Sequence, residues 1–278
     1  MGTEEGEGGG SDREAKPRRG FGEVPHADPV VRRRNWQEFL DAAAFLTRLP
    51  VGGDATMGPL AASGWAFPLV GAGIGALAAA VFLGAQLVGC AAIIAAPLAV
   101  LAGIALTGAL HEDGLADAAD AFGAGDSRTQ ILAIMRDSRH GTYGVVALVA
   151  SFGLRAAALA TIAEPIQTGL ALVAAHAASR ALLPAAMQLL RPARPDGLGA
   201  TAGRPGAAVA LIAAIIGAAI ALGALGPPRG AAALALAALV VAAAAMLARR
   251  RIGGYTGDVL GAFQQIGEIV MLLAAAAQ

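Results

Sequence analysis

The sequence has few charged residues and a single cysteine. Charged residues make up 14% of the 278 positions, whereas 56% are hydrophobic, above the roughly 45–50% of soluble domains. A soluble core cannot use so much apolar material. Cys90 alone excludes an intramolecular disulfide, and its apolar neighbours indicate a small buried side chain, not a reactive thiol or a metal ligand.

The amino-terminal segment lacks the apolar stretch of a secretory signal peptide. Its first twenty residues are rich in glycine and charge, a composition typical of disorder. We predict a disordered cytoplasmic tail at 1–34 and a single polytopic membrane domain at 35–278. Acidic and basic residues are equal in number, 20 of each, so net charge does not indicate a partner.

Long apolar runs fill the rest of the chain. A helix needs about 20 apolar residues to cross the hydrocarbon layer, and small residues allow membrane helices to approach closely. The sequence therefore predicts an all-α polytopic integral membrane helical bundle with about seven transmembrane helices. The predicted spans are Trp65–Val88, Ala91–Leu110, Val145–Ala163, Thr168–Leu190, Gly206–Leu225, Ala231–Ala248 and Val259–Ala277.

The arginines predict the orientation of these spans. With the tail inside, the arginine-rich loops at 111–143, 191–205 and 249–258 all fall inside, and the opposite loops carry only Arg229. Before the first span, Asn35–Leu49 has an apolar face and is predicted to lie as an amphipathic helix at the membrane surface.

A histidine and four acids follow the second span, in His111–Asp120. In a helix starting near Asp113, the carboxylates of Asp113, Asp117 and Asp120 share one face. Adjacent carboxylates raise one another's pKa unless a cation compensates, and Mg²⁺ prefers such oxygen ligands. Gly114 fits a point of close backbone approach. The alternative is a solvated acidic cap on a cytoplasmic helix.

Two further loops combine glycines with groups that bind anions or metals. Ile134–Gly144 carries Arg136, Asp137 and Arg139, and guanidinium groups beside glycine amides are typical of phosphate sites. Positive-inside topology would explain its arginines, though not its acid and glycines. Gly253–Asp258 opens the last span with Gly254 and Thr256, where a helix amino terminus favours anions and Asp258 could bind metal.

Charged residues also occur within predicted spans, where they usually face a partner or a wet cavity. Arg155 is close enough to a predicted helix end to extend its side chain towards the membrane surface. Arg180 is more central, which favours contact with an anionic ligand or a buried acid. Glu268 could be a satisfied polar residue in the bundle.

Taken in order, these segments resemble the cobalamin synthase family over nearly the whole chain from Phe45. The segments that carry the resemblance are Phe45–Val51, Phe67–Gly71, His111–Asp120, Met135–Gly144, Ser179–Arg180 and Gly253–Asp258. The tail before about residue 35 lies outside the family pattern. His140 stands where an apolar residue is more usual, and we assign it no chemistry.

The resemblance implies an Mg²⁺-dependent transferase of the cell inner membrane, acting on its cytoplasmic side. In that reaction α-ribazole, or its phosphate, attacks the pyrophosphate of adenosylcobinamide-GDP, GMP leaves, and adenosylcobalamin or its phosphate forms. Small-molecule substrates and the lipid membrane are the implied partners, with no nucleic acid.

The predicted roles agree with phosphoryl transfer, which depends on positioning and charge neutralisation. The predicted Mg²⁺ ligands are Asp113, Asp117 and Asp120, with Asp258 and Asp137 in reserve. His111 is the predicted base. The predicted substrate-binding residues are Arg136, Asp137, Arg139, Arg180, Gly254 and Thr256.

Two alternatives remain at this point. A membrane phosphotransferase of the CDP-alcohol type would also place several aspartates on helices, but its expected pattern is only half met at 111–120. A transporter would use Arg155, Arg180 and Glu268 along a pathway. We find no internal sequence repeat that would favour the transporter.

Overall fold

The structure is a computed structural model that describes residues 1–2, 35–51, 60–137, 139–162 and 164–277. The predicted disordered tail therefore lies almost wholly outside the described residues. A 3₁₀ turn, Leu60–Ala66, leads into the second helix. The helices are α1 Asn35–Leu46, α2 Phe67–Leu87, α3 Ala92–Thr107, α4 Leu110–Ala124, α5 Arg128–Ile134, α6 Thr142–Thr161, α7 Pro165–Leu189, α8 Leu198–Thr201, α9 Ala207–Leu225, α10 Pro227–Ile252 and α11 Gly257–Ala276.

The helices confirm the predicted membrane bundle. Over the described ranges, six are long and apolar enough to cross a membrane, and α3 with α4 makes a bent pair that brings the number to seven if the pair is one span. Boundaries differ from the sequence prediction. The acidic helix begins at Leu110 instead of near Asp113, and α1 ends at Leu46 instead of Leu49.

The arginine-rich loops meet at one end of the bundle, which we call the site end. Arg128 connects all three loops, because its Nε donates to the carbonyl of Ile252 and its Nη2 to the carbonyl of Ala193. Arg251 donates to the carbonyl of Gly125 at 2.6 Å. Carbonyls that end helices or line loops thus receive guanidinium donors, which hold the site end together.

Two successive left-handed residues produce the bend between α3 and α4. Gly108 has φ 65° and Ala109 has φ 60°, and the two helices diverge by 93°. Glycine adopts the left-handed conformation at the first position without strain, and a Cβ there would require the exposed side chain of Arg48 to move. Ala109 holds a conformation that costs an L-residue about 1–2 kcal/mol. The bend turns α4 across the bundle towards α6 and α11.

Helix α2 packs against α7 through glycines spaced one turn apart. A Cβ on Gly75 would lie 2.6 Å from the carbonyl oxygen of Leu172, and one on Gly71 would overlap the carbonyl of His176. Gly73, on the same helix, has no other atom within 4 Å of a Cβ position. This spacing of small residues lets two membrane helices touch backbone to backbone.

We expect Gly75→Ala to lower the melting temperature of the detergent-purified protein by several degrees, because the added methyl group forces α2 away from α7. The matched variant Gly73→Ala should melt within about a degree of the parent, or slightly higher, since alanine favours a helix. Thermal unfolding of the two variants side by side checks this. Equal melting temperatures would contradict the packing described for Gly75.

Candidate active site

The site begins where the backbones of α4 and α11 approach each other closely. A Cβ on Gly114 would lie 2.8 Å from the carbonyl oxygen of Asp258 and 3.2 Å from the Cα of Gly261. The predicted close backbone approach at Gly114 is confirmed. Because both contact positions are glycine, the acidic turn of α4 lies directly against the first turn of α11.

A cavity of about 140 Å³ opens beside this contact. Its polar wall contains His111 and Asp113 from α4 and Asp258 from α11. The rest of its lining is largely apolar and includes Phe45, Leu60, Phe67, Leu183 and Met187. A few convergent polar groups in a largely apolar cavity are typical of a small-molecule site.

A second cavity, of about 500 Å³, shares part of its lining with the first. Phe45, Leu110 and Asp113 line both cavities, and Arg48 lies on the wall of the second. Asp113 therefore stands at the boundary between two spaces. A ligand in either cavity would lie beside this residue.

The carboxylates at the site have few protein partners. Asp113 is exposed and Asp117 half-buried, and within the described part of the chain no hydrogen bond reaches either carboxylate. The negative charges of Asp113, Asp258 and Asp120 all repel a negative charge on the Asp117 carboxyl group. His140 lies 3.7 Å from Asp117, a contact that stabilises only if the imidazole is protonated.

The described residues contain no group of three or more histidine, cysteine or acidic side chains arranged to hold a metal by themselves. Mg²⁺ in enzymes usually binds one or two carboxylates, several waters and substrate phosphates. The pair Asp113 and Asp258, which line one wall and repel each other, fits that smaller ligand set. The residues present are thus compatible with Mg²⁺ completed by a substrate.

Asp120 has a structural contact that the sequence did not suggest. Its Oδ2 accepts from the amide of Gly141 at 2.6 Å, and its Oδ1 accepts from the amide of Gly144 at 2.9 Å. Gly141 is the residue that caps α6. The carboxylate therefore satisfies the free amides at the start of α6, and the glycine amides that we expected at a phosphate are bonded to Asp120.

The three predicted substrate-binding residues of the 134–144 segment form ion pairs on the surface. Arg139 Nη2 donates to Asp137 Oδ2 at 2.6 Å, and Arg136 forms an ion pair with Asp196. Hydrogen bonds from the Arg139 guanidinium lower the pKa of Asp137 to about 2. The structure places these side chains at the site end but does not bring them to the wall of either cavity.

The glycine loop before α11 is fixed by backbone contacts. The amide of Tyr255 donates to the carbonyl of Arg191 at 2.9 Å, and a Cβ on Gly254 would overlap that carbonyl. Thr256 caps α11 by accepting from the amide of Val259, and its hydroxyl donates to Asp258 at 3.1 Å. Gly254 and Thr256 therefore shape the loop and orient Asp258.

Arg194 is a site residue that the sequence reasoning treated only as a topology signal. Its Nη2 lies 3.6 Å from Asp258 Oδ2, and its Nη1 is buried with no partner among the described residues. A buried guanidinium nitrogen without an acceptor is costly. An anion bound beside Asp258 would supply the missing acceptor.

Beneath the site, charged side chains from four helices form a buried network. Arg155 Nη1 on α6 donates to Glu112 on α4 and to Glu268 on α11, both at 3.1 Å. Glu268 also accepts from Gln264 at 2.6 Å and lies 3.6 Å from Arg180 on α7. The remaining contacts of the network come from Ser151, His176, Ser179 and Gln265.

This network shows which of the predicted contacts the charged residues within the spans make. Arg155 is buried between two glutamates, so the expectation that it extends towards the membrane surface is wrong. Arg180 contacts a buried acid, which was one of its two predicted partners. It is 1% exposed and is not brought together with the aspartates at the cavity. Glu268 is a satisfied polar residue of the bundle, as predicted.

His111 directly precedes Glu112, a member of the network, on α4. It lines the first cavity, yet its Nδ1 is buried and has no partner among the residues that the structure describes. The neighbouring Glu112 points into the network, where Gln265 also donates to it at 3.1 Å. On α4, Glu112 therefore faces the interior of the bundle, whereas His111 and Asp113 line the cavity. The local sequence does not indicate which of these side chains faces which way.

The fold and the site together define a class: a polytopic helical membrane protein whose acidic cavity lies where its arginine-rich loops meet. Comparison with known proteins narrows this class. The family model described as cobalamin-5-phosphate synthase matches residues 38–276. The chain belongs to this family.

Relatives with high identity agree with the family match. The adenosylcobinamide-GDP ribazoletransferase of Bradyrhizobium diazoefficiens is 51% identical over 85% of this chain and 92% of its own length. The proteins of the same name from Mesorhizobium japonicum and Azorhizobium caulinodans are 48% and 45% identical over 83% and 84% of this chain, covering 89% and 92% of their own lengths. No solved structure matches. The CDP-alcohol-type and transporter alternatives receive no support.

We expect Arg155→Leu to lower the free energy of unfolding by about 3–5 kcal/mol, because it leaves Glu112 and Glu268 buried without their shared cation. Denaturant unfolding in detergent micelles measures this loss. The exposed Arg250→Leu serves as the control and should change stability by less than about 0.5 kcal/mol. Adding Glu112→Gln to Arg155→Leu should restore part of the loss. Unchanged stability of Arg155→Leu would contradict the network.

Proposed function

We propose that this protein is an adenosylcobinamide-GDP ribazoletransferase. It transfers the adenosylcobinamide phosphate group from adenosylcobinamide-GDP to α-ribazole or α-ribazole 5′-phosphate and releases GMP. The family match and the shared name of its relatives support this assignment. The reaction is the last stage of cobalamin assembly.

The observation that carries the proposal is that Asp113 lines both cavities. A transferase must hold a donor and an acceptor so that their reacting atoms are about 3–3.5 Å apart. The diphosphate of the donor would lie beside Asp113 and Asp258 and the hydroxyl of the acceptor in the neighbouring cavity, while the corrinoid ring, which is too large for either cavity, would lie outside them. The apolar wall that includes Phe67 and Met187 suits the less polar parts of a substrate.

The proposed transfer forms one bond and breaks one bond. The ribazole hydroxyl oxygen attacks the phosphorus attached to cobinamide, and the bond from that phosphorus to the bridging oxygen breaks. GMP leaves with the bonding electron pair. His111 accepts the hydroxyl proton at its unpaired Nδ1, and Arg194 offers its unpaired Nη1 to a phosphate oxygen.

We further propose that Asp113 and Asp258 hold Mg²⁺, with Asp117 alongside. Mg²⁺ bound there would neutralise the diphosphate and stabilise the leaving phosphate. Asp120 accepts hydrogen bonds from amides at the start of α6 and so holds that helix against α4. The proposal does not require Asp120 as a metal ligand. The remaining ligands would be water and the diphosphate itself.

The proposed location is the cell inner membrane, with the site end facing the cytoplasm. Arg128 ties the loops that begin α5, follow α7 and end α10 into this one end, and basic loops of short length remain on the cytoplasmic side. A nucleotide substrate would reach the cavities from that side.

We expect Asp113→Asn and Asp258→Asn each to lower GMP release by about 100-fold, because each removes a metal-binding charge. Asp126→Asn, an exposed acid just past the end of α4, is the matched control and should keep parental activity. Both site variants should need more Mg²⁺ for half-maximal rate, and chelation should stop the parent. Full turnover after chelation would remove the metal assignment and leave the transferase assignment standing.

We expect His111→Gln to lower kcat by about 100-fold or more, the usual contribution of a general base, while leaving KM for adenosylcobinamide-GDP nearly unchanged. The pH profile distinguishes this role from a structural one. The parent should lose activity as the pH falls and His111 becomes protonated, whereas the variant's residual rate should lack that acidic limb. An unaltered pH profile in His111→Gln would exclude proton transfer by this residue.

A further inference from the structure

A cavity of about 550 Å³ at the site end is separate from the two described above. Three of its lining residues are arginines from three parts of the chain: Arg191 after α7, Arg204 before α9, and Arg249 in the last turn of α10. Leu189, Leu190 and Gly253 complete the lining. None of these residues belongs to the proposed catalytic set.

The three positive charges have no compensating acid in the described residues. Within the described residues their side chains have one partner, the backbone carbonyl of Gln188, to which Arg204 donates through Nε at 3.1 Å and also through Nη2. Other arginines of the site end, such as Arg136 and Arg139, pair with carboxylates. Like charges collected around one cavity repel unless an anion occupies it.

Hydrogen bonds fix the backbone that carries these arginines. The carbonyl of Arg191 accepts from the amide of Tyr255, and the amide of Ala193 donates to the carbonyl of Tyr255 at 2.8 Å. Arg249 belongs to a helix that ends at the left-handed Gly253. All three side chains are exposed, and those of Arg191 and Arg249 make no hydrogen bond in the described residues, so their guanidinium groups can turn towards a bound phosphate.

The surroundings of the cavity indicate a lipid. The cavity lies at the ends of α7 and α10, both long and apolar enough to span a membrane. Leu189 on its wall is 80% exposed, and Met246 and Leu247, just before Arg249, are 56% and 49% exposed. Charge at a helix end above exposed apolar surface matches a headgroup above its acyl chains.

We propose that the cavity lined by Arg191, Arg204 and Arg249 binds the phosphate headgroup of an anionic membrane lipid. A soluble phosphate would use the same guanidinium groups but would gain nothing from the exposed leucines and methionine. The bound headgroup would also lie against the loop that leads to Asp258, because Arg191 and Gly253 are part of the same wall.

The test compares lipid binding by purified full-length variants with equal changes in charge. Native mass spectrometry, after titration with phosphatidylglycerol or phosphatidylcholine, measures how tightly each lipid is retained. The parent should prefer phosphatidylglycerol. Arg191→Gln with Arg249→Gln should weaken that binding about 25-fold, since each arginine near an anionic lipid contributes about fivefold.

Two further variants separate the cavity from general charge and from misfolding. The control pair Arg229→Gln with Arg250→Gln removes two exposed arginines outside this cavity and should keep parental affinity. Arg191→Lys with Arg249→Lys keeps the charges and should retain most of the binding.

Three results would overturn the proposal. The first is no preference for phosphatidylglycerol in the parent. The second is equal weakening in the cavity pair and the control pair. The third is complete displacement of the lipid by millimolar inorganic phosphate, which would assign the cavity to a soluble phosphate group. Because retention is measured without substrates, none of these results depends on the proposed transferase activity.

Discussion

The contact of Arg155 with Glu112 and Glu268 is the constraint on which the site depends. It joins α4, α6 and α11 in the interior of the bundle. Each buried ion costs several kcal/mol to desolvate, and only close geometry with further hydrogen bonds offsets that cost. A shift of any of the three helices would separate these charges, so the ion pairs fix how α4 lies across α11.

This arrangement divides the polar residues of α4 between two tasks. Glu112 and Asp120 are committed to the protein, one to Arg155 and the other to the amides that begin α6. His111 and Asp113 face the cavities instead. A rotation of about 100° per residue turns Glu112 away from Asp113, whereas Asp120 shares the face of Asp113 but lies two turns further along α4, beside the start of α6. One short acidic segment therefore both locks the bundle and supplies reactive groups.

Much of the fold was predictable because a membrane imposes a strong local rule. Apolar length predicted the spans, and the distribution of arginine predicted that three distant loops share one end. Gly114 was correctly interpreted as a point of close approach. The partners of Arg155, Asp120 and Arg136 were not predictable, since each lies on an element distant in sequence. A charge in a span indicates that a partner exists but not which one.

The sequence by itself determined the class of protein, the spans and the segments that hold the acidic and basic groups, because hydrophobicity and charge act residue by residue. Only the tertiary structure decided which carboxylates remain open to a ligand and which are bonded within the protein. That outcome depends on the left-handed bend at Gly108 and Ala109 and on the contact between Gly114 and Gly261. Both set the direction of α4, and direction is a property of packed helices that no single segment encodes.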